Sequence, residues 1–262
     1  MILNDLISYL EEIAPPHLQE SYDNSGLIYG HPDLELTGAL VSLDCTEDVV
    51  DEAISLGFNL IVSHHPIVFS GIKKFSHDNY VHRVVINAIQ HNIAIYAIHT
   101  NLDNVLEHGV NQKIAQKIGL TQCTILRPKD SAEPHTGSGI IGELHNPIDP
   151  LAFMDHLKGS MNLKTIKHTA LLTRPVQRVA VCGGAGSFLL VDAKAAGADV
   201  FITADYKYHE FFDADGILTI VDIGHYESEY FTIELLFELL TEKFPKFAAR
   251  STKVVTNPIS YY

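Results

Sequence analysis

The apolar positions of the chain recur with two periods. Leu3, Leu6, Ile7 and Leu10 sit at helical spacing within MILNDLISYLEEIAP and predict an amphipathic helix with one buried face. From Gly38 the pattern becomes strand, helix, strand. Ala39 to Leu43 is a short apolar run, Thr46-Glu47-Asp48 is a capped helix start with acids in its first turn, and Gly57 is a stop. Asn59 to Val62 is the next apolar run, followed by a helical stretch from Val81 to His91 and a run from Ile93 to Ile98. Beyond the middle of the chain, Ile140 to Leu144 and Thr169 to Thr173 read as strands flanking a helix at Pro150 to Lys158. Near the end, Ile233, Leu235, Leu236, Leu239 and Leu240 form a helical core stripe. Strands alternating with helical stretches predict βαβ units and a mainly parallel sheet.

The second half repeats the first. Asp192-Ala-Lys-Ala-Ala-Gly197-Ala-Asp-Val-Phe-Ile-Thr203 lies under Glu52-Ala-Ile-Ser-Leu-Gly57-Phe-Asn-Leu-Ile-Val-Ser63 at a constant offset of 140 positions. Each segment is preceded at a similar distance by an apolar run, Leu40 to Leu43 in one and Val179 to Cys182 in the other. An α/β chain of two related lobes from an internal duplication is therefore expected, each with a mainly parallel sheet flanked by helices. The stretch RPKDSAEPHTGSG, with two prolines and two glycines, is the candidate boundary. It divides the chain into an N-terminal lobe over 1–126, a linker over 127–139 and a C-terminal lobe over 140–262.

Composition narrows the function. Lys and Arg number 18 against 32 Asp and Glu, a formal net charge of −14, which argues against a nucleic-acid backbone as partner. Three scattered cysteines without a C-x-x-C pair point to a reducing compartment, and the acidic N-terminal helix does not read as a signal peptide. No apolar run approaches the roughly 20 residues a membrane span requires, so a cytoplasmic location is expected. The outlying count is 15 histidines, imidazole being the commonest metal ligand.

Ligands of open α/β sheets bind beyond the carboxyl ends of strands, and three polar constellations occupy such places. His64-His65-Pro66 follows Leu60 to Val62, with Pro66 suited to end the strand; the alternative is one ring packed inward and one in solvent. His99-Thr100-Asn101-Leu102-Asp103 follows the run ending at Ile98, where a carboxylate can bridge two cations; the alternative is an Asx-type cap. His225-Tyr226-Glu227-Ser228-Glu229 follows Leu218 to Ile223, and His225 and Glu229 share a helix face at i, i+4; the alternative is a surface helix start. Taken jointly, five or more nitrogen and oxygen donors exceed what one tetrahedral zinc needs and suit two divalent ions, of Zn, Mn, Fe, Co or Ni.

Two further features concern a substrate. Cys182-Gly183-Gly184-Ala185-Gly186-Ser187 follows a strand and precedes a helix. The amides of Gly183, Gly184, Gly186 and Ser187 are phosphate-cradle candidates, against the alternative of a tight turn that needs glycine geometry. Lys207 is a candidate contact for an anionic substrate and His209 for a proton carrier, against plain surface placement. Cys182 lacks a His partner in sequence and is a poor nucleophile candidate.

VSHHPIVF, AIHTNLDN, VCGGAGS, TADYKYHE and DIGHYESE, together with YDNSGLIYG and VSLDCTEDVVDEA, resemble the NIF3-like (DUF34) family, whose members are also called GTP cyclohydrolase 1 type 2 homologues. The resemblance covers nearly the whole chain. It implies a two-lobed α/β protein assembled as a toroidal hexamer, with a dinuclear metal centre between the lobes. By position, His64, His65, Asp103, His225 and Glu229 are the implied ligands and His99 lines the site. Only Arg127 to His135 stands where longer relatives insert a domain, so this is the short form, and Ala204 stands where relatives often carry Gly.

The implied activity is a metal-dependent hydrolysis, on a nucleotide such as GTP, with imidazole-ring opening and formate release. His99 or His209 would move protons. The alternative is a metal-stabilised ring that binds a partner without catalysis.

Overall fold

The computed structural model describes residues 1–130 and 132–262; Ser131, inside the expected linker, lies outside the described residues. In chain order the elements are α1 (Leu3–Ile13), β1 (Gly26–Tyr29), β2 (Ala39–Ser42), α2 (Glu47–Leu56), β3 (Leu60–Ser63), α3 (Tyr80–Gln90), β4 (Ala94–Ala97) and α4 (Thr100–Asp103). There follow α5 (Val110–Ile118), β5 (Leu120–Pro128), β6 (Gly137–Ile148), α6 (Pro150–Ser160), β7 (Lys167–His168), β8 (Val176–Ala185) and α7 (Leu190–Ala195). The last are β9 (Val200–Ala204), β10 (Thr219–Asp222), α8 (His225–Glu229), α9 (Thr232–Lys243) and β11 (Ala249–Ser251). Two compact units result, one of Met1–Leu102 with Thr232–Pro258, the other of Asp103–Phe231 with Ile259–Tyr262.

The first unit is a five-stranded sheet of order β1-β4-β3-β2-β11, parallel except for β1. Its strands β2, β3 and β4 are buried along their whole length, as the continuous apolar runs require of a sheet covered on both faces. Helix α1 buries Leu3, Leu6, Ile7 and Leu10, the four residues its spacing singles out. Helix α2 begins at Thr46, whose hydroxyl accepts from the Val49 amide, and stops at Gly57 in the left-handed region at φ 68°. Val49, Val50 and Ala53 of α2 and Val84 and Ala88 of α3 pack on Leu40, Ile61 and Ile95. The C-terminal stripe buries Leu235, Leu236, Leu239 and Leu240, while Ile233 is only half-buried.

The second unit is a six-stranded sheet of order β5-β6-β8-β9-β10-β7. Its centre, β8-β9-β10, is parallel, and antiparallel strands lie outside it. At the two ends of the stretch read from sequence as a linker, Arg127 pairs with Ser138 and Pro128 with Gly137, so these residues belong to the antiparallel strands β5 and β6. The strand expected over Thr169–Thr173 does not form; β7 ends at His168. The Thr169 amide still donates to the Ile220 carbonyl, but its hydroxyl takes the Ile220 amide at 3.0 Å, a side-chain bond that replaces the next rung of the ladder.

The internal repeat is carried down to hydrogen bonds. Ala39 pairs with Leu60 and Val41 with Val62 in the first sheet; Val179 pairs with Val200 and Val181 with Ile202 in the second, each 140 positions on. Gly57 and Gly197 share the left-handed turn, at φ 68° and 71°. The Ile98 amide donates to the Ser63 carbonyl just as the Ile223 amide donates to that of Thr203. His99 and His225 thus follow corresponding strands. No helix among the described residues is long and apolar enough to cross a membrane.

Candidate metal centre

In the first unit β3 delivers His64 and His65, and β4 delivers His99. The His64 and His65 amides continue the β2–β3 pairing, donating to the Ser42 and Leu43 carbonyls, and Pro66 then ends the run. One ring nitrogen from each of the three imidazoles lies within 4.8 Å of the others. Ring centroids are 4.9 Å apart for His64 and His65, 5.2 Å for His64 and His99, and 5.3 Å for His65 and His99. The alternative of one ring inward and one in solvent does not hold: His64 is fully buried and the His65 side chain is only 15% exposed.

Each imidazole is oriented through the same atom. His64 Nδ1 donates to the Ile98 carbonyl at 2.8 Å, His65 Nδ1 to Asp44 Oδ1 at 2.7 Å and His99 Nδ1 to Asp23 Oδ1 at 2.8 Å. An Nδ1–H committed in this way leaves Nε2 as the basic nitrogen, which is how proteins fix the tautomer of metal-ligating histidines. Three such nitrogens brought together are well suited to a divalent ion. The residues fit the metal that the donor chemistry implies.

The supporting carboxylates are themselves held. Asp23 also accepts from the Thr100 amide at 3.0 Å, the Ser25 hydroxyl at 2.8 Å and the Thr100 hydroxyl. Burial works to raise the Asp23 pKa, but the bonds from His99, Thr100 and Ser25 and the His99 charge outweigh it, and the group sits well below the usual carboxylate range. Asp44 is likewise lowered: burial opposes, and the His65 and Thr256 bonds with the His65 charge prevail.

The second unit carries Asp103, His225 and Glu229. Helix α8 sets His225 Nε2 3.0 Å from Glu229 Oε2, while His225 Nδ1 lies 2.8 Å from Asp205 Oδ2. Glu229 is buried at 2% exposure, and one of its oxygens lies within 4.8 Å of an Asp103 oxygen. Asn111, also buried, joins these parts: its Nδ2 donates to the Asp103 carbonyl at 3.1 Å and its Oδ1 accepts from the Gly183 amide at 2.9 Å.

The glycine run serves this carboxylate set. A Cβ on Gly184, at φ 60°, would stand 2.4 Å from Glu229 Oε1. The amides of Gly183, Gly184 and Gly186 donate to Asn111, Ser228 and Thr203 side chains, each at 2.9 Å. These three glycine donors are committed inside the fold, in agreement with the tight-turn alternative. Lys207 is exposed, with its ammonium 3.6 Å from Glu210, and His209 is exposed beside Tyr208. The Cys182 thiol is buried and its pKa pushed up, first by burial and then by the Asp103 and Glu229 charges, so it is no nucleophile. Burial likewise pushes the Cys45 thiol up to about 12, with the Asp44 charge adding to it.

Sequence reasoning missed Asp23, Asp44 and Asp205. The first two lie inside YDNSGLIYG and VSLDCTEDVVDEA, and Asp205 in TADYKYHE, so the signal was present without a role attached.

The chain is similar to several known proteins. A "GTP cyclohydrolase 1 type 2 homolog" of Clostridium perfringens is 34% identical over 244 residues, 93% of this chain and 92% of the relative. One of Staphylococcus epidermidis is 28% identical over an alignment of 371 positions that spans both chains entirely, so the relative carries sequence that this 262-residue chain lacks. The crystal structure of a hypothetical protein of Staphylococcus aureus superposes with a TM-score of 0.92 at 31% identity, covering 100% of this chain and 99% of the other. The model of one family, Duf34/NIF3 (NGG1p interacting factor 3), matches residues 1–258, and the chain belongs to that family.

Proposed function

We propose that the chain is a metal-dependent hydrolase whose dinuclear centre is held by His64, His65, Asp103, His225 and Glu229, with His99 beside them. The observation that carries this reading is the common orientation of three imidazoles, each spending Nδ1 on an internal acceptor. A structural histidine needs no such convergence of basic nitrogens. When bound, a pair of divalent ions lowers the pKa of water toward neutrality and polarises the group under attack. The chain's own residues do the rest. Asp23 and Asp44 keep two imidazoles in one tautomer, and Asp205 does the same for His225. His99 is positioned to exchange a proton at Nε2, because its Nδ1 proton is fixed on Asp23.

The substrate class in this proposal is a nucleotide such as GTP, opened at its imidazole ring with release of formate. The names of the relatives support it. Lys207 and His209 keep their proposed parts as anion contact and proton carrier, because they stand two and four residues after Asp205, the partner of His225. Self-association into a ring hexamer belongs to the same proposal.

The test is formate release from GTP by the protein reconstituted with Zn, Mn, Fe, Co or Ni in turn. Asp103→Asn and Glu229→Gln should lower turnover by no less than the roughly 10- to 100-fold that loss of a metal site's supporting group costs, while the fold and assembly persist. Variants that lose assembly with turnover unchanged would favour the partner-binding alternative instead.

A further inference from the structure

We propose that Phe69 is the platform on which the planar heteroaromatic ring of the substrate packs, and that Lys73 and Lys74 supply contacts to its anionic group in addition to Lys207. This rests on the hydrolase reading of the same site and assigns the residues that choose its substrate. Phe69 follows the His64-His65-Pro66 turn by three residues, and its ring stands perpendicular to His99, at 82° with centroids 5.8 Å apart. The imidazoles there are largely covered, His99 to 13% exposure, yet Phe69 itself is 51% exposed. An aromatic ring left half in water at the edge of a polar site gains by covering its open surface with another flat ring.

The backbone just before the ring is also anchored. Asn24 Nδ2 donates to the Val68 carbonyl at 2.7 Å, and the neighbouring Asp23 orients His99. One loop therefore anchors both the imidazole of His99 and the backbone next to Phe69. Four and five residues beyond Phe69, Lys73 and Lys74 are exposed and make no ion pair among the described residues. In a chain of net charge −14, two unneutralised cations on the loop that carries the exposed ring favour a flat ligand with an anionic tail. The glycine amides cannot take that tail, being bonded to Asn111, Ser228 and Thr203.

The test compares GMP with ribose 5-phosphate, which shares the anion and lacks the ring, binding to the metal-loaded protein. Phe69→Leu should weaken GMP about tenfold, the scale of one base–aromatic stack, and leave ribose 5-phosphate unchanged. The chain contains no tryptophan, so Phe69→Trp supplies a single reporter that GMP quenches and ribose 5-phosphate does not. Lys73→Ala with Lys74→Ala should weaken both ligands alike. Unchanged GMP affinity in Phe69→Leu, or wild-type protein that holds GMP no better than ribose 5-phosphate, overturns the platform; no effect of the lysine pair overturns the anion contact. Binding through Phe69 without any turnover would sink the hydrolase reading and leave the platform standing.

Discussion

At the scale of the residue, the site is made of imidazoles whose outer nitrogens are spoken for. Asp44→Asn removes the charge that holds His65 and should weaken metal binding about 10- to 100-fold without unfolding the chain, as read by competition with a chromogenic chelator. Asp23 supplies a second, independent signature. Its folded pKa lies below its unfolded value, so its contribution to stability is complete above the unfolded pKa of about 3.9 and is lost as the pH falls toward the folded value. In metal-free protein the gap in Tm between wild type and Asp23→Asn should be constant from neutral pH down to about 5 and close progressively below about 4. A gap that persists unchanged at pH 3 would show that the carboxylate's charge is not what matters.

At the scale of the element, the duplicated strand–helix–strand unit sets where the candidate ligands emerge. Gly57 and Gly197 end corresponding helices in the left-handed region, and an added Cβ meets nothing within 4 Å at the first and only Arg178 Nη1 at 3.7 Å at the second. Backbone strain alone therefore decides the cost. Gly57→Ala and Gly197→Ala should each cost about 1 kcal/mol and lower Tm by about 2–4 °C, measured by calorimetry. Unequal losses would mean that the two turns are not equivalent. This repeat was legible because it keeps a constant offset, with hydroxyl residues closing both strands at Ser63 and Thr203. The strand at Thr169–Thr173 was misread because apolar and β-branched composition cannot reveal that the Thr169 hydroxyl intercepts the ladder.

At the scale of the whole molecule, His64, His65, His99, Asp103, His225 and Glu229 could be put forward as candidates from sequence because all follow strands that read clearly. Their supports could not. Asp23 is 76 residues from His99 and Asp44 is 21 from His65, and no periodicity links such pairs. The glycine run was open to two readings for a related reason: whether a turn's amides face a ligand or a side chain depends on Asn111 and Ser228, which lie elsewhere in the chain.

Whether the donors hold the proposed pair of ions is read by elemental analysis of the reconstituted protein. The wild type should hold two divalent ions per chain and Asp103→Asn at most one, with the circular dichroism spectrum unchanged. A wild type that holds one ion or none at saturating metal would contradict it.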